Sequence, residues 1–354
     1  MSISTAYDLY KNWDSKPVPP PELLPQVRRP DWGRRSDESL QEWEKDIKVT
    51  WLGHACFMAE FPPPAEGIRG ARVLFDPVWS HRCSPVQFMG PARVTKPPFE
   101  LKDMPEIDLV VQSHDHYDHT DVATLKHIYN SQPKGSVHFF SPLGNKSWFK
   151  STIGVKDEYV TELDWWQVRE CTVKLGQEGV ESTFRITCTP CQHFSGRGLL
   201  DRNKTLWASW AVQQYNGRSK DITASVWHAG DCGLRSVEKG MTAEDEDKLT
   251  RCPAYQEIGD KLGPFDVSCI PIGAYSPRFF MSRVHCSPED AVEVHQMTRS
   301  RKSLAMHHST WMLTDEEMTE PPKRLKQALK DKGLRADEFV SLDIGETARV
   351  TPQE

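Results

Sequence analysis

The sequence predicts a mixed α/β domain in which two β-sheets pack together with helices outside them. Most patterned segments are strand-like, and the helix-like segments fall between strands rather than in one block. With 354 residues, the chain is long enough for one large domain or two, and for a sizeable core. Its 27% charged and 38% hydrophobic residues are typical of a globular protein rather than a disordered one.

An irregular arm precedes the first patterned segment. Six prolines lie between Pro17 and Pro30, interleaved with charges, and this composition disfavours both helix and sheet. We therefore divide the chain into a Pro-rich N-terminal arm, residues 1–45, and a single domain, residues 46–354. We expect the arm to dock on the domain.

Twelve segments have the pattern of β-strands, because their apolar residues alternate with polar ones or form short runs between turn residues. The stretch Pro62–Gly70 separates two of them and predicts a long, exposed hairpin loop. In chain order, the predicted strands are Ile47–Trp51, Cys56–Phe61, Arg72–Phe75, Ile107–Val111, Val137–Phe140, Val160–Leu163, Cys171–Leu175, Phe184–Cys188, Leu206–Gln213, Ile222–His228, Val267–Ile270 and Ser303–Met306.

Three segments predict helices. Asp121–Asn130 follows the fourth strand, and Pro322–Lys332 lies near the C-terminus. Ser287–Thr298 opens with Ser-Pro-Glu-Asp, which combines an N-cap serine, proline at the first helical position and acidic residues in the first turn. The alternation of these helices with strands supports two packed sheets with helices outside.

Charge and composition exclude several classes of protein. The chain carries 44 basic and 50 acidic residues, a formal charge of −6, which argues against a general nucleic-acid binder because such binding depends on a clustered basic surface. No segment approaches the ~18 apolar residues of a membrane span. Nine cysteines, an odd number, argue against a disulfide framework and for a reducing compartment. The N-terminus has no apolar signal region, and Asp8 and Asp14 count against a transit peptide.

The segment Ser113–His119 has the composition of a metal site. Five of the six residues from His114 carry imidazole or carboxylate groups, which is costly unless a cation neutralises them, and both ligand types suit zinc. In an extended segment His114 and His116 point the same way and can bind one ion. After the chain turns, Asp118 and His119 can bind a second.

This H-x-H-x-D-H pattern after a strand resembles the metallo-β-lactamase superfamily, whose fold is an αβ/βα sandwich of two mixed β-sheets flanked by helices. The resemblance implies that His114, His116 and His193 hold one zinc, and that a second zinc and a bridging aspartate complete the site. His308, next to the last ligand, is its main competitor. The full ligand set that the resemblance implies is His114, His116, Asp118, His119, His193, Asp231 and His307.

A more specific resemblance is to the N-acyl-phosphatidylethanolamine-hydrolysing phospholipase D family, whose blocks run in order from about Trp51 to Pro322. Two departures from the family are Val284, where glutamine is usual, and the longer loop at Pro62–Gly70. The blocks that carry the resemblance include Trp51–Ala55, Asp76–Trp79, Arg82–Pro91, Glu162–Trp166, Gln192–Phe194, Asp201–Trp210, Gly263–Asp266 and Pro271–Arg278.

The family resemblance implies a zinc-dependent phospholipase D with two zinc ions per chain. It would hydrolyse N-acyl-phosphatidylethanolamine to an N-acylethanolamine and phosphatidic acid through a metal-bridging hydroxide. Asp118 would bind a metal and orient the hydroxide, while His285 would either assist the leaving alcohol or bind the headgroup. Two other functions stay open: a dizinc hydrolase of a smaller lactone or cyclic phosphodiester, and a non-catalytic zinc-stabilised binding module.

A lipid substrate predicts an apolar contact surface beside the metals. We expect Gln87, Phe88, Met89 and Tyr117 to bind the substrate, and the protein to contact an intracellular membrane from one side without spanning it. The expected compartment is the cytosol, with a mitochondrial address left open. The expected partners are a phospholipid and a membrane surface but no nucleic acid, and a homodimer is one open oligomeric state.

Overall fold

Two β-sheets of seven strands each form the body of the computed structural model, which describes residues 17–34, 44–176 and 179–353. The first sheet is built from β1 (Ile47–Gly53), β2 (Cys56–Glu60), β3 (Arg72–Phe75), β4 (Leu109–Val111), β5 (His138–Pro142), β6 (Val160–Leu163) and, from the C-terminus, β14 (Thr347–Val350). The second contains β7 (Val168–Leu175), β8 (Val180–Thr189), β9 (Ser209–Tyr215), β10 (Ile222–His228), β11 (Phe265–Pro271), β12 (Ser300–Met306) and β13 (Phe339–Val340).

Each sheet is half antiparallel and half parallel. The strand orders are β14-β1-β2-β3-β4-β5-β6 and β13-β12-β11-β10-β9-β8-β7. Strands β3 to β6 run parallel to one another, as do β10 to β13, and the remaining pairs are antiparallel. Parallel neighbours end at the same edge of a sheet, so the loops that follow these strands come together.

Seven α-helices lie among the described residues, and none has the length and apolar character that crossing a bilayer requires. Helix α1 packs outside the first sheet, and its Leu125 and Ile128 meet Leu74 and Val110. Helix α6 packs on β11 and β12 of the second sheet, with α4 and α7 beside it. The helices are α1 (Val122–Ser131), α2 (Lys146–Trp148), α3 (Ala243–Asp247), α4 (Ala254–Leu262), α5 (Arg278–Met281), α6 (Pro288–Met297) and α7 (Glu320–Asp331).

The main core lies between the two sheets. Strand residues of one parity from the first sheet, such as Val49 and Phe57, face residues such as Phe184 and Val226 from the second, and all are buried. Burying a side chain of this size stabilises the fold by about 1.5–3 kcal/mol. The alternation read from the sequence therefore corresponds to an inner apolar face on each sheet.

The fold class expected from the sequence is confirmed: two mixed sheets with flanking helices. Three predicted strands, β3, β6 and β10, have the predicted bounds, and Ser287 caps α6 as predicted. Asp121, the first residue of the predicted helix Asp121–Asn130, is the N-cap of α1. Strands β13 and β14 and helices α2, α3, α4 and α5 were not predicted. Strand β14 is four residues long and pairs with β1, about 300 residues earlier, so its local pattern carries little signal.

The described part of the Pro-rich arm, residues 17–34, lies against the C-terminal segment. Val27 forms an isolated bridge with Ile344, and the Arg28 amide donates to the Ile344 carbonyl at 2.9 Å. The Arg28 guanidinium lies 2.7 Å from Glu346. The rest of the predicted arm, residues 1–16 and 35–43, lies outside the described residues, and the division at residue 45 stays a prediction.

Candidate metal centre

The candidate site lies where the parallel strands of both sheets end. The histidine-rich segment follows β4, Asp231 follows β10, and His307 follows β12. His193 comes four residues after β8, which pairs with β9 beside β10. The topology thus explains why residues from four distant parts of the sequence reach one place.

One group of ligand atoms comes from His114, His116, His193 and Asp231. His116 Nδ1 lies 2.9 Å from His114 Nε2 and 3.3 Å from His193 Nε2. Asp231 Oδ2 lies 3.7 Å from His114 Nε2 and 3.6 Å from His193 Nε2. Three imidazoles and a carboxylate at this spacing match the ligand number of a four-coordinate zinc site.

A second group comes from Asp118, His119, His307 and, unexpectedly, His54. Asp118 Oδ2 lies 3.3 Å from His307 Nε2 and 3.6 Å from His119 Nε2. The same oxygen lies 2.9 Å from His54 Nε2. The sequence analysis gave His54 no role, although it belongs to one of the family blocks.

Asp231 lies between the two groups. Its Oδ2 is 3.1 Å from His119 Nε2, and its Oδ1 is 3.2 Å from His307 Nε2, while Oδ2 also reaches the first group. The structure thus brings together all seven residues that the sequence analysis proposed as ligands: His114, His116, Asp118, His119, His193, Asp231 and His307.

The residues present fit a bound cation. His119 Nε2, His307 Nε2 and Asp231 Oδ1 are buried. They lie 3.1–3.2 Å from opposite groups, but none of these contacts has the geometry of a hydrogen bond among the described residues. A buried polar atom without a partner costs roughly 1–3 kcal/mol, so three in one place is unfavourable unless something else satisfies them. Metal ions at the centre of the cluster would do so.

The protonation states lead to the same conclusion. Burial lowers the pKa of His193 to about 3 and that of His116 to about 4, so both rings are neutral at pH 7 and keep a lone pair for a metal. Burial would also lower the pKa of His307, but the carboxylates of Asp231 and Asp118 outweigh it and raise that pKa to about 9. The site therefore favours a positive charge between these carboxylates.

Outer hydrogen bonds orient several ligand rings. Asp76, directly after β3, lies 2.7 Å from His119 Nδ1 through its Oδ2, and it accepts from Ser113 Oγ at 2.6 Å. Ser113 Oγ lies 2.8 Å from His114 Nδ1. Such partners leave the Nε2 atoms of His114 and His119 facing the centre, as in known metal sites. Asp76 was not proposed from the sequence, although a polar residue directly after a strand was the available signal.

Val284, which stands where the family usually has glutamine, contacts the ligand ring of His193 through its backbone. Its carbonyl oxygen lies 2.8 Å from His193 Nδ1, and a carbonyl is available from any residue type. The departure from the family's usual glutamine therefore leaves this ring contact intact.

His285 lies inside the site rather than on the surface. Its Nε2 is 3.9 Å from Asp231 Oδ2, and its ring centre is 5.1 Å from that of His193 and 5.0 Å from that of His307. Its Nδ1 is buried and has no hydrogen-bond partner among the described residues. Burial lowers the pKa of His285 to about 3, so the ring is neutral at pH 7.

His308, the competitor for the last ligand position, points away from the cluster. Its ring packs on Trp51, with 4.8 Å between ring centres, and its nitrogens contact the hydroxyls of Ser309 at 2.9 Å and Ser341 at 3.2 Å. His307 is therefore the residue of this pair that reaches the cluster.

Two loops form what we call the rim. In the first, Arg82–Pro91, Phe88 is 82% exposed and Met89 is 51% exposed, so neither lines a closed groove. In the second, Gly196–Lys204, Leu199 is 100% exposed and Leu200 is 87% exposed. The second loop was not proposed from the sequence.

The polar rim residues mainly shape the loops. Gln87 Oε1 accepts from the Arg82 amide and Gln87 Nε2 donates to the Arg82 carbonyl, both at 3.0 Å, and this pair of bonds closes the first loop. The expected contact of Gln87 with substrate stays a prediction. Tyr117 has its ring face covered by the Arg197 guanidinium at 4.0 Å. Arg93 is half-buried and donates to the backbone carbonyls of Ser80 and Val78.

Comparisons with known proteins agree with this geometry. Residues 71–308 match the family model described as a β-lactamase superfamily domain. The chain is 39% identical over 307 residues to N-acyl-phosphatidylethanolamine-hydrolyzing phospholipase D 1 of Caenorhabditis elegans, covering 86% of this chain and 76% of that one. It is 28% identical to the mitochondrial N-acyl-phosphatidylethanolamine-hydrolyzing phospholipase D of Saccharomyces cerevisiae, covering 84% of this chain and 55% of that protein.

The fold also has solved counterparts. A metallo hydrolase from Ignicoccus hospitalis superposes with a TM-score of 0.53 at 21% identity, covering 86% of this chain and 98% of that one. This likeness supports the architecture, whereas the family follows from the sequence matches. The chain belongs to the N-acyl-phosphatidylethanolamine-hydrolysing phospholipase D family of the β-lactamase superfamily and is a metal-dependent hydrolase.

Proposed function

We propose that the protein is a zinc-dependent phospholipase D that hydrolyses N-acyl-phosphatidylethanolamine to an N-acylethanolamine and phosphatidic acid. The observation that carries the proposal is the double ligand cluster joined at Asp231, in a chain 39% identical to a nematode protein named for this reaction. A centre of this kind suits attack on a phosphodiester, where charge builds up on the phosphoryl oxygens.

The metal content is part of the proposal. His114, His116 and His193 would hold one zinc, Asp118, His119 and His307 the other, and Asp231 would contact both. Two zinc ions held here would supply Lewis-acid activation of water and of the phosphoryl oxygen. Elemental analysis of the purified chain should find two equivalents of zinc, and a reproducible single equivalent in active protein would contradict the shared site.

Two side chains are proposed to act on the reacting groups. Asp118 is ionised, because His119, His307 and His54 together outweigh burial and hold its pKa well below the usual range. Its carboxylate can accept a hydrogen bond from the attacking water and orient it. His285 is neutral, and its Nε2 lies on the cluster side, 3.9 Å from Asp231 Oδ2. In the tautomer that carries its hydrogen on Nε2, His285 can donate a hydrogen bond to the oxygen of the leaving N-acylethanolamine.

The lipid is proposed to approach across the rim. Phe88, Met89, Leu199 and Leu200 expose apolar side chains on two loops. Ser80, two residues before the first loop, donates to Asp121 at the cap of α1, and Arg197 of the second loop donates to Asp115 in the histidine-rich segment. Surface leucines scattered singly need no explanation, but four large exposed apolar side chains in two pairs, on loops tied near this segment, suit a lipid surface. We therefore propose peripheral contact with a membrane inside the cell, and leave the compartment, cytosolic or mitochondrial, to localisation experiments.

The decisive experiment is a substrate panel. The purified chain loaded with zinc is incubated with N-acyl-phosphatidylethanolamine, phosphatidylethanolamine without the N-acyl group, a cyclic phosphodiester and a lactone, and products are followed by mass spectrometry. We expect N-acylethanolamine and phosphatidic acid from the first substrate. Turnover of the cyclic phosphodiester or lactone alone would replace the proposal with a hydrolase of small substrates.

A further inference from the structure

The turn between β1 and β2 has an unusual backbone. Gly53 has a φ of +102° and His54 a φ of +52°, so two consecutive residues adopt the left-handed region. Glycine does this readily, but for histidine the conformation is unfavourable and persists only when its surroundings impose it. Such strain clusters at functional sites, and this turn directs the His54 ring into the metal cluster.

Several contacts hold His54 in this place. Its backbone amide donates to Thr310 Oγ1 at 2.8 Å, while its carbonyl accepts from Trp51 Nε1 at 2.8 Å and from the His307 amide at 3.1 Å. Its side chain is buried, and its ring centre lies 4.0 Å from that of His307. The ring therefore has one well-defined position, from which Nε2 reaches Asp118 Oδ2 at 2.9 Å.

The contact between His54 and Asp118 has a clear direction. An ionised carboxylate only accepts hydrogen bonds, so His54 Nε2 must carry the hydrogen and donate it. A carboxylate oxygen has more than one lone pair, so Asp118 Oδ2 can accept this bond and still face the centre of the cluster. Charge-assisted bonds of this kind are roughly twice as strong as neutral ones.

We propose that His54 is a positioning residue that holds Asp118 in the orientation in which its carboxylate binds metal. The inference rests on the proposed function, which makes Asp118 a ligand. His54 lies within ligand distance of Asp118, His119 and His307. Asp231, however, lies 3.1 Å from His119 Nε2 and 3.2 Å from His307 Nε2, so Asp118, His119, His307 and Asp231 already provide the four donors that a zinc ion needs. His54 is thus better used to orient one ligand than to add a fifth.

Zinc affinity tests this role without reference to turnover. The full chain and its His54→Ala and His54→Gln variants are titrated with zinc in competition with a chromophoric chelator. Loss of an outer hydrogen bond to a ligand typically weakens metal binding about 10–100-fold. We expect His54→Ala to weaken one of the two zinc sites by about this factor. His54→Gln should recover most of the loss, because its amide can donate to Asp118.

A matched control separates positioning from a general effect of losing a buried imidazole. His295 is also buried, and it contacts Ser303 Oγ at 2.8 Å on the outer side of the second sheet. We expect His295→Ala to keep both zinc affinities, with circular dichroism confirming that each variant is folded. Equal zinc loss in His295→Ala would overturn the proposal, because it would indicate general destabilisation.

Three further outcomes decide the matter. Unchanged zinc affinity in His54→Ala would show that Asp118 needs no such support. A His54→Gln variant as weak as His54→Ala would favour direct ligation by His54, and would also overturn the positioning role. If the wild-type chain binds two zinc ions and shows the expected variant pattern but leaves N-acyl-phosphatidylethanolamine intact, the proposed function fails while the role of His54 stands.

Discussion

The floor and the rim of the candidate site are built in opposite ways. We use floor for the seven proposed ligands, which are polar and mostly buried, whereas the rim loops carry apolar side chains and expose them. Each arrangement is unfavourable in isolation, because buried polar atoms need partners and exposed apolar area needs cover. This difference is the basis for proposing that the floor binds metal ions and that the rim contacts lipid.

The two regions also differ in how they are held. Floor residues follow strands of the two sheets, and outer partners such as Asp76 and Ser113 orient their rings. The second rim loop is fastened mainly at its start, where Arg197 donates to the carbonyls of Asp115 at 2.6 Å and Thr120 at 3.0 Å. Substitutions should therefore separate chemistry at the floor from lipid contact at the rim.

The largest effect is expected from Asp118→Asn. The change removes a negative charge from the ligand set, so zinc and activity should be lost together. The decrease in activity should exceed the roughly 10–100-fold cost of an outer-shell change and reach about 10³-fold or more. Elemental analysis and lipid hydrolysis measure the two losses. Asp157→Asn makes the same change at an exposed position and is the control. If the Asp118→Asn enzyme kept both zinc ions and normal activity, Asp118 would not be a metal ligand.

His285→Ala should have the next largest effect. His285 is not needed for the seven-ligand set, so both zincs should remain while kcat falls about 10²–10³-fold, the usual cost of losing one transition-state donor. The loss should shrink with a phenolate-type leaving group, which needs less stabilisation. A rise in KM with unchanged kcat would instead make His285 a headgroup ligand.

Rim substitutions should give a smaller effect of a different kind. The pair Phe88→Asp and Met89→Asp, and separately the pair Leu199→Ser and Leu200→Ser, should weaken vesicle binding about tenfold, because partial burial of one such side chain is worth over 1 kcal/mol. Zinc content should not change. Ile222→Ser, at the opposite end of β10 from the site, is the control. Equal losses on vesicles and on a short-chain soluble analogue would refute the lipid role of the rim.

Arg197→Lys is expected to have the smallest effect. Both carbonyls accept from one nitrogen, Nη1, and the lysine side chain ends one bond short of that position. Arg197→Lys should therefore lose one of these hydrogen bonds, which is worth about 0.5–1.5 kcal/mol. Trypsin cleavage after Arg202 in this loop should therefore accelerate about two- to tenfold, with zinc content unchanged. Arg218→Lys, in another exposed loop, is the control variant. If cleavage after Arg202 accelerated equally in Arg218→Lys, Arg197 would not be what fastens the second rim loop.

The sequence predicted much of the candidate site because part of the ligand pattern is local. His114, His116, Asp118 and His119 lie within six residues, and crowding of such groups has few explanations other than a metal. His193, Asp231 and His307 came from the family resemblance alone, since a single histidine or aspartate carries no such signal.

Sequence reasoning missed Asp76 and His54, because their roles depend on packing between distant strands. Asp76 reaches His119 only because β3 and β4 run parallel and end together. His54 reaches Asp118 only because a left-handed turn after β1 directs it inward. No periodicity or residue spacing in the sequence indicates either contact.

The sequence by itself determined the fold class, most strands and a dense metal motif, since alternation and local ligand spacing are short-range properties of the chain. The family resemblance implied a bridging Asp231 and preferred His307 to His308, and the tertiary structure places Asp231 between the two groups and turns His308 away from them. Only the tertiary structure decided that His54 and Asp76 join the site and that Leu199 and Leu200 are exposed. These features depend on which strand ends lie next to one another and on which side chains remain exposed after the sheets pack. Long-range pairing sets both, and no local pattern records it.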